Sequence, residues 1–280
     1  MKEYYDCEPT LDDYQMLEVC KKGYLALEGV VPNEINERVC AYLETNTSYE
    51  PTAILLENWF VDAVIKQPQA VGAVRALLGK DFGLPILMSN HRIHYPYPAQ
   101  SWHRDGGSKY TPEVMNLQVF YLPQTTTLEL GPTEVLPGSH FLYSGSGYMG
   151  QLDKIKGTEF LSGPAGSIFI TIYSIWHRRS SSTRATTSGI RNLLKYNYFR
   201  TTPPKRDWII NPDFDFAAAP YQPLNKTGYY PDRFRASYHV AEMFLWLCGK
   251  HDRFKLHGGQ TWPVHMEHRT DRPYGIPEGL

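Results

Sequence analysis

Apolar positions recur at roughly helical spacing over residues 11–22, at Leu11, Tyr14, Leu17, Val19 and Cys20. Acids open the stretch, lysines close it as the helix dipole favours, and Gly23 stops it. Residues 24–31 then read as a strand. Pro32 stands near the first turn of a second helix that runs to about Thr45, and residues 69–80 make a third. From Leu84 the pattern changes to short runs at 84–94, 114–122, 132–136, 167–173 and 190–199, joined by segments carrying Gly, Pro, Thr and Ser. Residues 163–166 form a turn ahead of the strand leading to His177. Residues 145–156 read as a polar surface loop placed to act as a lid or binding loop. Residues 203–230 look irregular, 232–248 read as a helix stopped by Gly249, and 251–280 form a polar tail.

Helices first and strands later predict an α+β chain, mainly β, in one domain spanning 1–280. A helical layer (about 1–83) supports a jelly-roll core (about 84–200), followed by the irregular segment, helix and tail of 201–280. The 42% hydrophobic content is enough for a full core, and a net charge of −1 predicts neither a nucleic-acid footprint nor a polybasic membrane patch. The longest mostly apolar run, 167–176, is too short to span a bilayer, and residues 1–6 carry no apolar signal region. Cys7, Cys20, Cys40 and Cys248 form no CxxC pair. These features predict a soluble protein of a reducing, cytoplasmic compartment; the oligomeric state stays open.

The chemistry centres on His103-Arg104-Asp105. In an extended segment residues i and i+2 share a face, so one imidazole and one carboxylate reach a single metal. His177, after a strand-like run, is the best source of a second imidazole. Two His and one carboxylate with open positions make the facial triad of non-haem iron(II) oxygenases. Other histidines are weaker ligands: His91 and His94 fall on opposite strand faces, His251 and His257 flank a loop, and His265 and His268 sit in the Pro-containing tail.

The order His-x-Asp, then Gly131-Pro132-Thr133, then Pro137-Gly138-Ser139-His140, then His177, then Arg191 on a strand resembles the phytanoyl-CoA dioxygenase family. The resemblance runs from about Tyr24 to Trp208, with Pro-Gly-Ser-His its most specific part. Leu130 takes the place where the family usually has Asn, and Arg191 lies a little further past His177 than is usual there. His140 reads as structural. The resemblance implies a double-stranded β-helix, a cupin-like jelly roll buttressed by N-terminal helices. It implies Fe(II) held by His103, Asp105 and His177, with 2-oxoglutarate and O2 as cosubstrates. The expected reaction hydroxylates a small or medium-sized organic metabolite and releases succinate and CO2. The far carboxylate of 2-oxoglutarate needs a fixed cation, and an arginine forks onto it with two hydrogen bonds. Arg191 is the expected partner, ahead of Arg184 in its Ser/Thr-rich stretch, and Asn90 and Tyr121 are expected further contacts. The alternative from another class is a non-catalytic metal-containing jelly-roll binding module.

Overall fold

The computed structural model describes residues 4–107, 111–142, 150–216 and 230–253. His257, His265, His268 and most of the tail lie outside the described residues, as do 145–149 of the expected loop and 217–229 of the irregular segment.

The helical layer forms where the sequence predicts it. Helix α1 (Asp13–Lys22) starts in a capping box, in which the Gln15 amide N–H donates to Asp12 Oδ1 at 2.9 Å and the Asp12 amide donates to Gln15 Oε1 at 3.0 Å. It stops at Gly23, whose φ of +82° is left-handed. Strand β2 (Tyr24–Leu27) follows, then α2 (Asn33–Thr45). A short α3 (Asn58–Phe60) runs into a π turn at Val61–Ile65 that the pattern did not predict, and α4 (Pro68–Leu78) carries proline in its first turn. The last helix, α5 (Tyr230–Leu247), packs against α1. No helix of the described residues is long and apolar enough to cross a membrane.

The strands make two facing layers of a double-stranded β-helix. In the larger sheet, β1 (Tyr4–Tyr5), β3 (Phe82–Gly83), β12 (Leu194–Phe199), β6 (Asn116–Leu122), β9 (Ser167–Ile172) and β2 lie side by side, with β4 (Ser89–Asn90) also on β12, every pair antiparallel. A second ladder joins β5 (Ile93–Tyr95) to β11 (Gly189–Arg191). It keeps the register of β4 on β12, and the His91 amide donates to Leu193 O at 2.8 Å between them, so the two ladders form one continuous pairing. The smaller layer holds β7 (Thr133–Val135), β8 (Glu159–Leu161) and β10 (His177–Arg179). Segment 97–103 runs antiparallel to 177–182 beside β10: Ser182 donates to Tyr97 O at 2.9 Å and Gln100 to Arg179 O at 3.0 Å.

The pleat divides the core in two. Leu117, Val119 and Tyr121 on β6, Ile168, Ile170 and Ile172 on β9, and Leu194, Tyr196 and Tyr198 on β12 face the helices and join their large core. Phe120, Leu122, Phe169 and Leu193 face the other way and meet Val135, Leu161 and Ile175 inside the barrel. By the same alternation Gln118, Thr171, Arg191, Lys195 and Asn197 take inward positions, as does His91 opposite Leu193.

Candidate metal centre

His103 and His177 meet because their strands do. The His103 amide donates to His177 O and the His177 amide to His103 O, both at 3.0 Å, which sets the two side chains on one face with ring centroids 4.5 Å apart. Asp105 is not on a strand: it opens a tight 3-10 turn, Asp105–Gly107, in which Gly106 takes φ +59°. An added Cβ at Gly106 would press on the Tyr173 ring, so the turn that aims Asp105 needs glycine there. Asp105 Oδ1 lies 3.8 Å from His103 Nε2, and Oδ2 lies 3.7 Å from His177 Nε2. One ligand atom from each residue fits within 4.8 Å of the others, the only such three-residue group among the described residues.

The second ring nitrogens set the tautomers. His103 Nδ1 lies 2.9 Å from Ser101 O, and His177 Nδ1 lies 3.1 Å from Ile175 O. A carbonyl only accepts, so each Nδ1 carries the proton and each Nε2 turns a lone pair toward the shared point. Burial lowers the His177 pKa to about 4 against the pull of Asp105, so its ring is a neutral ligand near pH 7. Burial pushes the Asp105 carboxyl up, but His177, Lys195 and the Gln118 amide outweigh it and bring the group down to about 2. Lys195 Nζ donates to Asp105 Oδ2 at 2.8 Å, and Gln118 Nε2 donates to the same oxygen. Oδ1 receives no hydrogen bond from the described residues and stays available to a metal.

Arg191 is 1% exposed, and burial lowers its pKa to about 10, with Arg179 adding to the shift. Its Nη1 donates to Gly131 O, and among the described residues its Nε has no hydrogen-bond partner and no carboxylate pairs with it. A buried cation without a counter-ion is expensive, and a ligand carboxylate would relieve it. Arg184 is exposed in a turn away from the interior.

Two expected contacts need correction. Tyr121 faces the helices, where its hydroxyl donates to Asn36 Oδ1 of α2 at 2.6 Å; it is not turned into the barrel. Asn90 pairs with Leu194 on the outward face, where its Nδ2 donates to Asn192 Oδ1 at 3.0 Å and its Oδ1 accepts from the Leu193 amide at 3.3 Å. The residue facing inward there is its neighbour His91, whose pKa falls to about 3 through burial and then Lys195, with Asp105, Arg191 and His177 also acting on it. Lys195 and Gln118 were missed as well. The signal for them was the period-2 alternation, counted forward from Arg191 to Lys195 and back from Phe120 to Gln118. His94 is exposed, and His251 lies 3.2 Å from Glu242.

The Pro-Gly-Ser-His turn is a strut. His140 Nε2 donates to Cys20 O at 2.9 Å at the end of α1, and Gly138 donates to Lys22 O at 2.9 Å. Ser139 Oγ accepts from the Trp176 amide at 2.9 Å, next to His177. In the described part of the 145–156 loop, the exposed Asp153 lies 4.0 Å from Arg178 of β10.

No family model and no curated protein matches the sequence. Solved structures do match. HygX from Streptomyces hygroscopicus with nickel and 2-oxoglutarate bound aligns at TM-score 0.55 and 14% identity, over 71% of this chain and 90% of that one. Its iron-bound structure aligns at TM-score 0.55 and 13% identity over the same shares. SnoN, a non-haem alpha-ketoglutarate-dependent epimerase from nogalamycin biosynthesis, aligns at TM-score 0.50 and 14% identity, over 67% of this chain and 82% of that one. At such identities the likeness is one of fold: this chain has the jelly roll on which those proteins are built.

Proposed function

We propose that the chain is an Fe(II)- and 2-oxoglutarate-dependent oxygenase that hydroxylates a small or medium-sized organic metabolite. The observation carrying this reading is the pairing of a two-His, one-carboxylate cluster within 4.8 Å with an arginine 1% exposed that lacks a carboxylate partner among the described residues. The fold likeness to HygX, solved with iron and with nickel and 2-oxoglutarate, supports it. The donor set fits the metal: two neutral imidazoles and one carboxylate suit iron(II) and leave a face open.

When bound, iron(II) with 2-oxoglutarate and O2 supplies oxidation of a substrate C–H bond, coupled to decarboxylation of the oxo acid to succinate and CO2. His103, Asp105 and His177 hold the metal. Arg191 takes the C5 carboxylate of the oxo acid, forking onto it from the inner wall. Lys195 and Gln118 keep Asp105 turned toward the two imidazoles. Phe120, Leu193 and Phe169 exclude water from the space between. Anaerobic addition of 2-oxoglutarate to the iron(II) protein tests the reading. A weak visible charge-transfer band and, on admitting air, succinate are expected. No band and no succinate would leave a non-catalytic module.

A further inference from the structure

Two donors meet on Asp105 Oδ2, and they are not equivalent. Lys195 Nζ lies 2.8 Å from that oxygen, and Gln118 Nε2 donates to it as well. Lys195 stands on β12 opposite Phe120 of β6, and Gln118 stands two residues from Phe120, so the two reach Asp105 from neighbouring strands. Gln118 is 1% exposed, and its buried amide is held firmly enough to aim the carboxylate. A neutral amide supplies direction without net charge, whereas an ammonium supplies a full charge on a flexible stem. Lys195 shares in the aiming, but it adds a charge that aiming does not need.

The position is an expensive one for a lysine. Strand β12 lies within the sheet, with β6 on one side and β3 and β4 on the other, and Leu193, two residues before Lys195, belongs to the apolar cluster inside the barrel. A lysine there gives up hydration and rotamer freedom that a methionine would not. Asp105 is its only ion-pair partner among the described residues, and the two side chains are 17% and 20% exposed, so the pair is only partly screened by water. Without metal, the ammonium balances Asp105. A metal ion held by His103, Asp105 and His177 must share that carboxylate with the ammonium, and two cations on one carboxylate repel. The repulsion rises with the charge on the metal, so it bears harder on iron(III) than on iron(II).

Resting on the metal-binding part of the oxygenase reading, we infer that Lys195 sets the charge of the site through Asp105: it weakens the carboxylate as a metal ligand and biases bound iron toward the iron(II) state. Gln118 does the aiming. Lys195 is neither a ligand nor a catalytic residue; it works on the metal through the oxygen it shares with Gln118.

The test compares Lys195→Met, Lys195→Gln and Lys195→Arg with the wild type, all prepared metal-free. Each is titrated anaerobically with iron(II), and the midpoint potential of the bound iron is measured without 2-oxoglutarate. Removing the charge should tighten iron(II) binding by about tenfold in Lys195→Met and Lys195→Gln. Iron(III) should gain about tenfold more than iron(II), which lowers the potential by about 59 mV. Lys195→Arg keeps the charge and should stay near the wild-type values. Both shifts are required. Weaker binding in the uncharged variants would show that the ammonium chiefly aims the carboxylate, and unchanged binding or an unchanged potential would show that its charge is not felt; each overturns the inference. It is overturned equally if Lys195→Arg behaves like Lys195→Met, or if neither uncharged variant folds. A wild type that binds no iron(II) sinks the oxygenase reading and this inference together. A wild type that binds iron(II) beside unresponsive variants sinks the inference alone.

Discussion

At the scale of single residues, the interior is a set of charges awaiting partners. Arg191 makes the sharpest prediction. Removing one partner of a buried, hydrogen-bonded ion pair costs about 3–5 kcal/mol. Arg191→Gln should therefore raise the apparent KM for 2-oxoglutarate by at least about a hundredfold, with metal affinity measured separately and unchanged. Arg184→Gln, at an exposed turn, should do far less, and the reverse ranking would hand the role to Arg184. His177→Ala and Asp105→Ala should each abolish succinate formation, and full turnover in either would remove that residue from the triad. Tyr121→Phe tests the corrected position of that hydroxyl. It strands Asn36 Oδ1 in a buried site and should cost about 1–3 kcal/mol in chemical denaturation, with no change in KM for 2-oxoglutarate. His103, Asp105 and His177 were legible because their types and order carry the chemistry. Asn90 and Tyr121 were misread by one position each. Both faces of this sheet are buried, one under helices and one in the barrel, so the apolar pattern does not say which face is inner.

At the scale of elements, the site depends on a chain of supports running back to α1. His140 packs where a side chain at Gly23 would sit, and a Cβ there would collide with the imidazole. Gly23→Ala also places alanine at φ +82°. The substitution should cost more than about 1 kcal/mol in denaturant unfolding. Full stability in that variant would show that the strut is free to shift. The sequence placed α1, α2, α4 and α5 within two residues, because each begins or ends on a local signal or carries a long periodic run. It missed β8 and β10, three residues each, because strands so short have no period to read. The bend at Val61–Ile65 was equally silent, since a π turn has no composition of its own.

For the whole molecule, three inward or buried histidines set the response to acid. Burial lowers His91 and His140 to about 3 and His177 to about 4, from an ordinary 6.5. The unfolded chain binds these protons first, so their stability contribution is full above about pH 6.5 and is lost as pH falls toward about 4 for His177 and about 3 for His91 and His140. Asp105 works lower: its contribution holds above 3.8 and is lost as pH falls through about 2. The metal-free protein should therefore melt at a lower temperature at pH 5 than at pH 7.5, as read by calorimetry. An equal melting temperature at both would mean these rings are already charged in the fold.

The division of the apolar core has an evolutionary consequence. The layer that joins helices to sheet is large, while the cluster inside the barrel has eight members among the described residues. Rewriting the inward side chains of β6, β9 and β12 leaves the helix–sheet layer untouched. Descendants of this chain can change what they act upon without first acquiring spare stability. Random libraries at the inward positions should accordingly return more folded members than libraries of equal size at the outward ones.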